Sequence, residues 1–184
     1  MMKQYVDIKK TYEDSILFFR LGDFYEMFFD DAILVSRELE ITLTGKSAGL
    51  EEKVPMCGVP HHAYSSYVDT LIDKGYKVAI CEQLEDPKNT KGMVKRDVVQ
   101  IVTRGTRLDN RVDSKSNNFI ANIYDFNSCY GLSYADISTG EFYCKLVEKE
   151  EREIIREVVK NSFNEIIVSE QVDRVLINKL RSQY

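Results

Sequence analysis

Positive charge is the scarcer sign in this chain: 25 Lys and Arg stand against 30 Asp and Glu, a formal net charge of −5. That balance argues against a generally basic protein that coats nucleic acid. Long apolar runs are missing too. None approaches the ~20 residues of a helical membrane span, so no such span is expected. The start, Met1-Met2-Lys3-Gln4-Tyr5, has no apolar core behind its charge, and no signal peptide is expected there. The four cysteines, Cys57, Cys81, Cys129 and Cys144, show no C-x-x-C spacing. Reduced, partly buried thiols in a cytosolic protein are therefore the expected state. Neither an internal repeat nor a low-complexity segment is present. What remains, 43% hydrophobic and 30% charged residues over 184 positions, is ordinary for a soluble globular protein. It suffices for one large domain or two small ones.

The chain is organised around Phe18-Phe19-Arg20-Leu21-Gly22-Asp23-Phe24-Tyr25-Glu26-Met27-Phe28-Phe29. Two apolar runs, Ile16 to Leu21 and Phe24 to Phe29, flank a Gly-Asp turn signal and predict paired strands. Side chains alternate along a strand, so Phe24 and Glu26 point to the same side, roughly 6–7 Å apart. An aromatic ring beside a carboxylate next to a turn is either core plus rim charge, or a pair facing whatever docks there. A second feature is local: Lys88, Lys91, Lys95, Arg96, Arg104 and Arg107 face a single acid, Asp97. Such a cluster suits phosphates, with a solvated loop and strand edge as the alternative.

In order, the pattern predicts a helix over 2–13, the two strands, and a helix capped at Asp30-Asp31 that buries Ala32, Val35 and Leu39. It continues with a short strand over 41–44, a polar loop over 45–53 and an extended run over 54–59. A helix follows from Pro60 to a stop at Gly75, then strands over 76–83 and 97–103. The composition sets a first domain at 1–108, a polar linker at 109–118 and a second domain at 119–184. The second reads as three hairpin-connected strands (119–126, 130–137, 141–147), a helix over 150–160, a strand over 165–168 and a helix from about 171. This is the opening order of a ribonuclease-H-like fold that stops before its last strand and helix, so a truncated domain is expected. The fold class is α/β throughout.

Three constellations compete for chemistry. Gly45-Lys46-Ser47 matches the tail of a P-loop, but the first Gly of that cradle would fall at position 40, which is Glu. Lys46 then reads as a loop cation. Cys57, His61 and His62 form only a fragment of a zinc site, which needs four ligands. Asp23, Glu26, Asp30 and Asp31 with Asp136 of the second domain, or Asp125, Asp136 and Glu141 within it, are candidate Mg²⁺ ligands for a divalent-metal nuclease, the alternative function. A third reading, a protein-interaction module, predicts an exposed apolar patch instead of the Phe–Glu pair.

At Gly22-Asp23-Phe24-Tyr25-Glu26 the chain resembles the mismatch-binding domain of the MutS DNA mismatch-repair family. Met1-Met2-Lys3-Gln4-Tyr5, Pro55-Met56-Cys57-Gly58-Val59-Pro60-His61-His62-Ala63, Ala79-Ile80-Cys81-Glu82-Gln83 and Glu85-Asp86-Pro87 fit the same pattern, in order and at compatible spacing. The match covers residues 1 to about 107. The second domain is similar to the family's connector domain, mainly in architecture. Thr103-Arg104-Gly105-Thr106 departs from the pattern, which carries Pro before the Gly, and the start at Met1-Met2 omits a few leading residues of it.

The resemblance implies that Phe24 wedges into the minor groove beside a mispaired or unpaired base and that Glu26 hydrogen-bonds to that base. Repulsion and desolvation among phosphates favour a protonated Glu26 in such a complex, donating to a base acceptor. Lys46, Lys95 and Arg96 are the candidates for phosphate contacts. The fragment itself is expected to be a DNA-binding module with no cofactor of its own and not an enzyme. The intact protein would be a cytoplasmic, dimeric ATPase that uses ATP and Mg and recruits the MutL repair protein.

Overall fold

A computed structural model of the chain describes residues 1–47, 53–85, 92–107 and 117–182. The chain divides into two compact units, Met1–Thr103 and Arg104–Tyr184. Of the expected linker, 109–118, only Asn117 and Asn118 are among the described residues.

The first unit is built on β1 (Ile16–Leu21), β2 (Phe24–Phe28), β3 (Thr44–Lys46), β4 (Val54–Pro60), β5 (Val78–Gln83) and β6 (Arg96–Val102), with helices α1 (Met2–Thr11), α2 (Phe29–Glu38) and α3 (Tyr64–Asp73). Its six-stranded sheet runs β3-β4-β2-β1-β5-β6. Only β1 and β5 pair in parallel; the other neighbours are antiparallel. The near-continuous apolar sequence of β1 follows from burial on both faces. Ile16 and Phe18 pack with Ala32 and Val35 of α2 and Val68, Leu71 and Ile72 of α3. Leu17 and Phe19 point the other way, to Tyr5, Ile8 and Met2 of α1. Gly22, at φ +59, supplies the left-handed residue that the turn between β1 and β2 requires.

Two expectations are corrected here. The short strand after α2 lies at Thr44–Lys46 rather than 41–44, because it is pinned by pairing Thr44 with Met56 and Lys46 with Val54. Asp30-Asp31 does not cap α2, which starts at Phe29 without a side-chain cap. Asp31 turns inward instead, accepting hydrogen bonds from the Tyr5 hydroxyl at 3.2 Å, the Leu17 amide at 3.0 Å and Lys9 Nζ at 3.0 Å. That buried carboxylate ties α1, β1 and α2 together.

The second unit holds β7 (Phe119–Asp125), β8 (Cys129–Asp136), β9 (Glu141–Glu148), α4 (Glu151–Asn161), β10 (Glu165–Val168) and α5 (Arg174–Arg181). Its sheet order is β10-β7-β8-β9, with β10 parallel to β7 and the hairpins antiparallel. This is the mixed arrangement expected of an opening ribonuclease-H-like fold. Ile154 and Val158 of α4 and Leu176 and Leu180 of α5 pack on one face, against Ala121, Ile123, Leu132 and Val147. The opposite face leaves Leu146 and Phe142 of the edge strand 71% and 68% exposed. Among the described residues no helix is long and apolar enough to cross a membrane.

Candidate nucleic-acid interface

Phe24 opens β2 directly after the Gly22-Asp23 turn, and the residue is 47% exposed. Phe28, four residues on and on the same face, is fully buried. Glu26 lies between them, opposite Phe19 on β1 and Gly58 on β4. The strand alternation therefore places Phe24 and Glu26 side by side, where the apolar face beneath α1 gives way to solvent.

The surroundings hold this end of the sheet in place. Arg20 Nε donates to the Gly22 carbonyl, and its Nη1 lies 3.7 Å from Glu82. The His61 amide donates to the Asp23 carbonyl at 2.8 Å, so the turn is tied from β1 on one side and from the residue that follows β4 on the other. Beneath the turn, the Tyr25 hydroxyl donates to Glu82, and its ring packs 4.9 Å from Tyr64 and 5.7 Å from His61. Burial, and then the hydrogen bond to the Glu82 carboxylate, push the Tyr25 phenol well above its ordinary range. His61 thus has a structural place beside Tyr25 and Tyr64. Gly58 leaves no side chain against Glu26: a Cβ there would sit 3.6 Å from Glu26 Cγ and 3.3 Å from the Tyr25 carbonyl.

The candidate cations fare differently. Lys46, from the edge strand β3, reaches Glu26 and forms an ion pair with it, its ammonium 5.6 Å from the Phe28 ring centre. Lys95 is exposed just before β6. Arg96 points inward and is only 8% exposed. It donates to the Arg20 carbonyl at 2.8 Å and to the Val94 carbonyl at 3.0 Å, with its guanidinium 5.1 Å from the Phe19 ring centre. It braces β1 from within, so a phosphate contact by Arg96 is not carried forward. Lys88 and Lys91 lie outside the described residues.

The carboxylates do not assemble into a metal site. Among the described residues no group of three or more His, Cys, Asp and Glu side chains is placed to hold a metal ion. Asp125 pairs with Lys149 and accepts from the Asn127 amide, and Asp136 closes the β8–β9 turn by accepting from Ser138, Thr139 and Asn118. Glu141 accepts from Asn117. These are turn and ion-pair duties.

The sequence missed the partners of the pair: Lys46 for Glu26, and Arg20 and Glu82 around Tyr25. Gly58 carried a readable signal, since a lone Gly within a strand marks close approach.

The family models described as MutS domain I and MutS domain II match residues 1–111 and 118–184. Proteins named DNA mismatch repair protein MutS from Listeria innocua, Caldicellulosiruptor saccharolyticus and Staphylococcus haemolyticus are 55%, 53% and 55% identical to this chain. The alignments cover 100%, 100% and 96% of it, and 22%, 21% and 20% of those proteins. The chain thus spans about a fifth of the length of these curated relatives.

Proposed function

The chain belongs to the MutS family of DNA mismatch repair proteins, and from that membership and the shape of β2 we propose that its first unit senses mispaired or unpaired bases in duplex DNA. Phe24 carries the reading: a half-exposed aromatic ring on a braced turn, with a carboxylate beside it on the same strand face. A wedge of this kind enters the minor groove and unstacks one base step, at a cost of a few kcal/mol. A mispaired or unpaired base is already poorly stacked and easily bent, so its duplex resists the wedge less. Discrimination arises from that difference and reads no particular sequence. Glu26 then hydrogen-bonds to the displaced base. The ties from Arg20 and His61 to the turn present the ring in one orientation, so little ordering remains to be done on binding.

Lys46 and Lys95 supply phosphate contacts in this reading, and such contacts position the protein without specifying sequence. The second unit serves as the connector, and its exposed apolar sheet face at Phe142 and Leu146 is the surface we assign to the MutL repair protein. Dimerisation and ATP hydrolysis with Mg belong, in this proposal, to the longer cytoplasmic protein of which this chain is the N-terminal fragment.

Amide NMR titration of the chain at low salt tests the reading. The two ligands are a duplex with one unpaired thymine and its fully paired counterpart. Shifts centred on residues 22–26, larger with the unpaired base, are expected. Shifts of equal size with both duplexes, or none at the turn, refute it.

A further inference from the structure

The Glu26–Lys46 ion pair has a consequence for how the site chooses between duplexes. We propose that Lys46 is a switchable counter-ion: it neutralises Glu26 in the free chain and on matched DNA, and passes to a backbone phosphate only when a mispaired or unpaired base lets the duplex bend around Phe24. The proposal rests on the reading of β2 as the recognition strand.

Three observations support it. First, the pair is long-range: Lys46 stands on the edge strand β3, and its side chain crosses the line of β4 to meet β2. Second, the two ends differ in access, because the Lys46 side chain is 32% exposed and that of Glu26 only 16%. The cation is the member that incoming DNA reaches. Third, Gly58 leaves the face between them open, since the position carries no side chain and a Cβ there would already be in contact with Glu26 Cγ at 3.6 Å.

Charge balance supplies the selectivity. A bare carboxylate beside Phe24 would repel phosphates from every duplex. Paired with Lys46 it is electrically silent, at the cost of occupying the oxygen that a base would use. A matched duplex that resists the wedge brings no phosphate close enough to compete for the ammonium. A bent duplex does, and the exchange leaves Glu26 to the base and adds one phosphate contact to the complex. Lys46 is thus a positioning residue for Glu26 in one state and a DNA ligand in the other.

The salt dependence of binding reads this directly. Each phosphate neutralised contributes about 0.9 to the slope of log affinity against log salt. Affinities of the chain and of Lys46→Met are measured by fluorescence anisotropy over a salt series, with the unpaired-thymine duplex and its matched counterpart. Because Lys46→Met also bares Glu26 to both duplexes, it is expected to lower the slope by about one more with the unpaired thymine than with the matched duplex. An equal drop with both duplexes would make Lys46 a fixed phosphate contact, and no drop with either would make the pair purely structural; both overturn the switch.

Glu26→Gln is the companion variant, which releases Lys46 from its partner without removing it. It should bind matched duplex several-fold more tightly, and Glu26→Gln combined with Lys46→Met should lose that gain. Persistence of the gain in the double variant also overturns the proposal. Equal affinity of the unmodified chain for the two duplexes sinks the recognition reading itself, which separates the two failures.

Discussion

Replacing Phe24 with Ala separates binding from folding, because the ring is half outside the protein already. A phenylalanine side chain buries on the order of 150–250 Å² when fully enclosed. With 47% of the residue open, roughly 90 Å² of ring is left for bases to cover. At ~25 cal/mol per Å² that amounts to about 2 kcal/mol, within the ~1–3 kcal/mol that a stacked base–aromatic contact contributes elsewhere. Phe24→Ala should then weaken binding to a duplex with one unpaired thymine by about 30-fold. The matched duplex, which the ring does not enter, should be almost unaffected. Anisotropy titrations on the two duplexes give both numbers. Thermal unfolding supplies the control: Phe24→Ala should shift the midpoint by no more than a few degrees. Phe28→Ala, at a fully buried position on the same strand face, should cost ~3–5 kcal/mol. Equal loss on both duplexes, no loss on either, or destabilisation comparable to that of Phe28→Ala would each show that Phe24 is packing and not a wedge.

Asp31→Asn should destabilise the first unit by about 2–3 kcal/mol, since it uncouples Lys9 and misdirects donors at Tyr5 and Leu17; an unchanged urea midpoint would remove this network from the stability account. Burial pushes the Cys57 and Cys81 thiols up to about 12, while Cys144 is exposed. Iodoacetamide at neutral pH should therefore label Cys144 in the folded chain and reach Cys57 and Cys81 only after unfolding, as peptide mass spectrometry would record. In the second unit Asp136 works against its own burial, but the Ser138 hydroxyl and the Asn118, Ser138 and Thr139 amides bring its carboxyl below the usual range; Lys149 and the Asn127 amide do the same for Asp125. Folded values below unfolded ones mean stability that is fully present above about pH 4 and lost as pH falls through the folded values. The urea midpoint of this unit should fall on acidification, and Asp136→Asn should flatten that dependence at the expense of stability near neutral pH.

The elements were legible wherever one physical signal dominated. β1 and β10 ran as the apolar pattern said, and α1 carried Tyr5 on its buried face as the helical spacing required. Gly75, at φ +91, ended α3 where a left-handed residue was needed. The failures share a cause, which is partnership across long sequence separations. Ile41 to Thr44 had the composition of a strand, yet pairing with β4 chose Thr44–Lys46. Asp31 had the composition of a cap, yet Tyr5, Lys9 and Leu17, 14 to 26 residues away, drew it into the interior.

The site divides along the same line. Alternation along one strand sufficed to put Phe24 and Glu26 side by side, because that relation is local. Charge was not local. Lys46 and Arg96 looked alike in the sequence as cations available to phosphate. The fold makes one the counter-ion of Glu26 on β2 and seals the other against Phe19 and the Arg20 carbonyl. Their roles follow from access: the ammonium of Lys46 remains reachable from solvent, whereas the guanidinium of Arg96 is committed to bracing the strand that leads into the turn. A cation that can change partners is useful at a site that must reject most of what it touches. One that cannot is useful where the wedge must not move. On this reading, substitution of Arg96 loosens the platform and substitution of Lys46 alters the choice between duplexes, although the sequence presents both as candidate phosphate contacts.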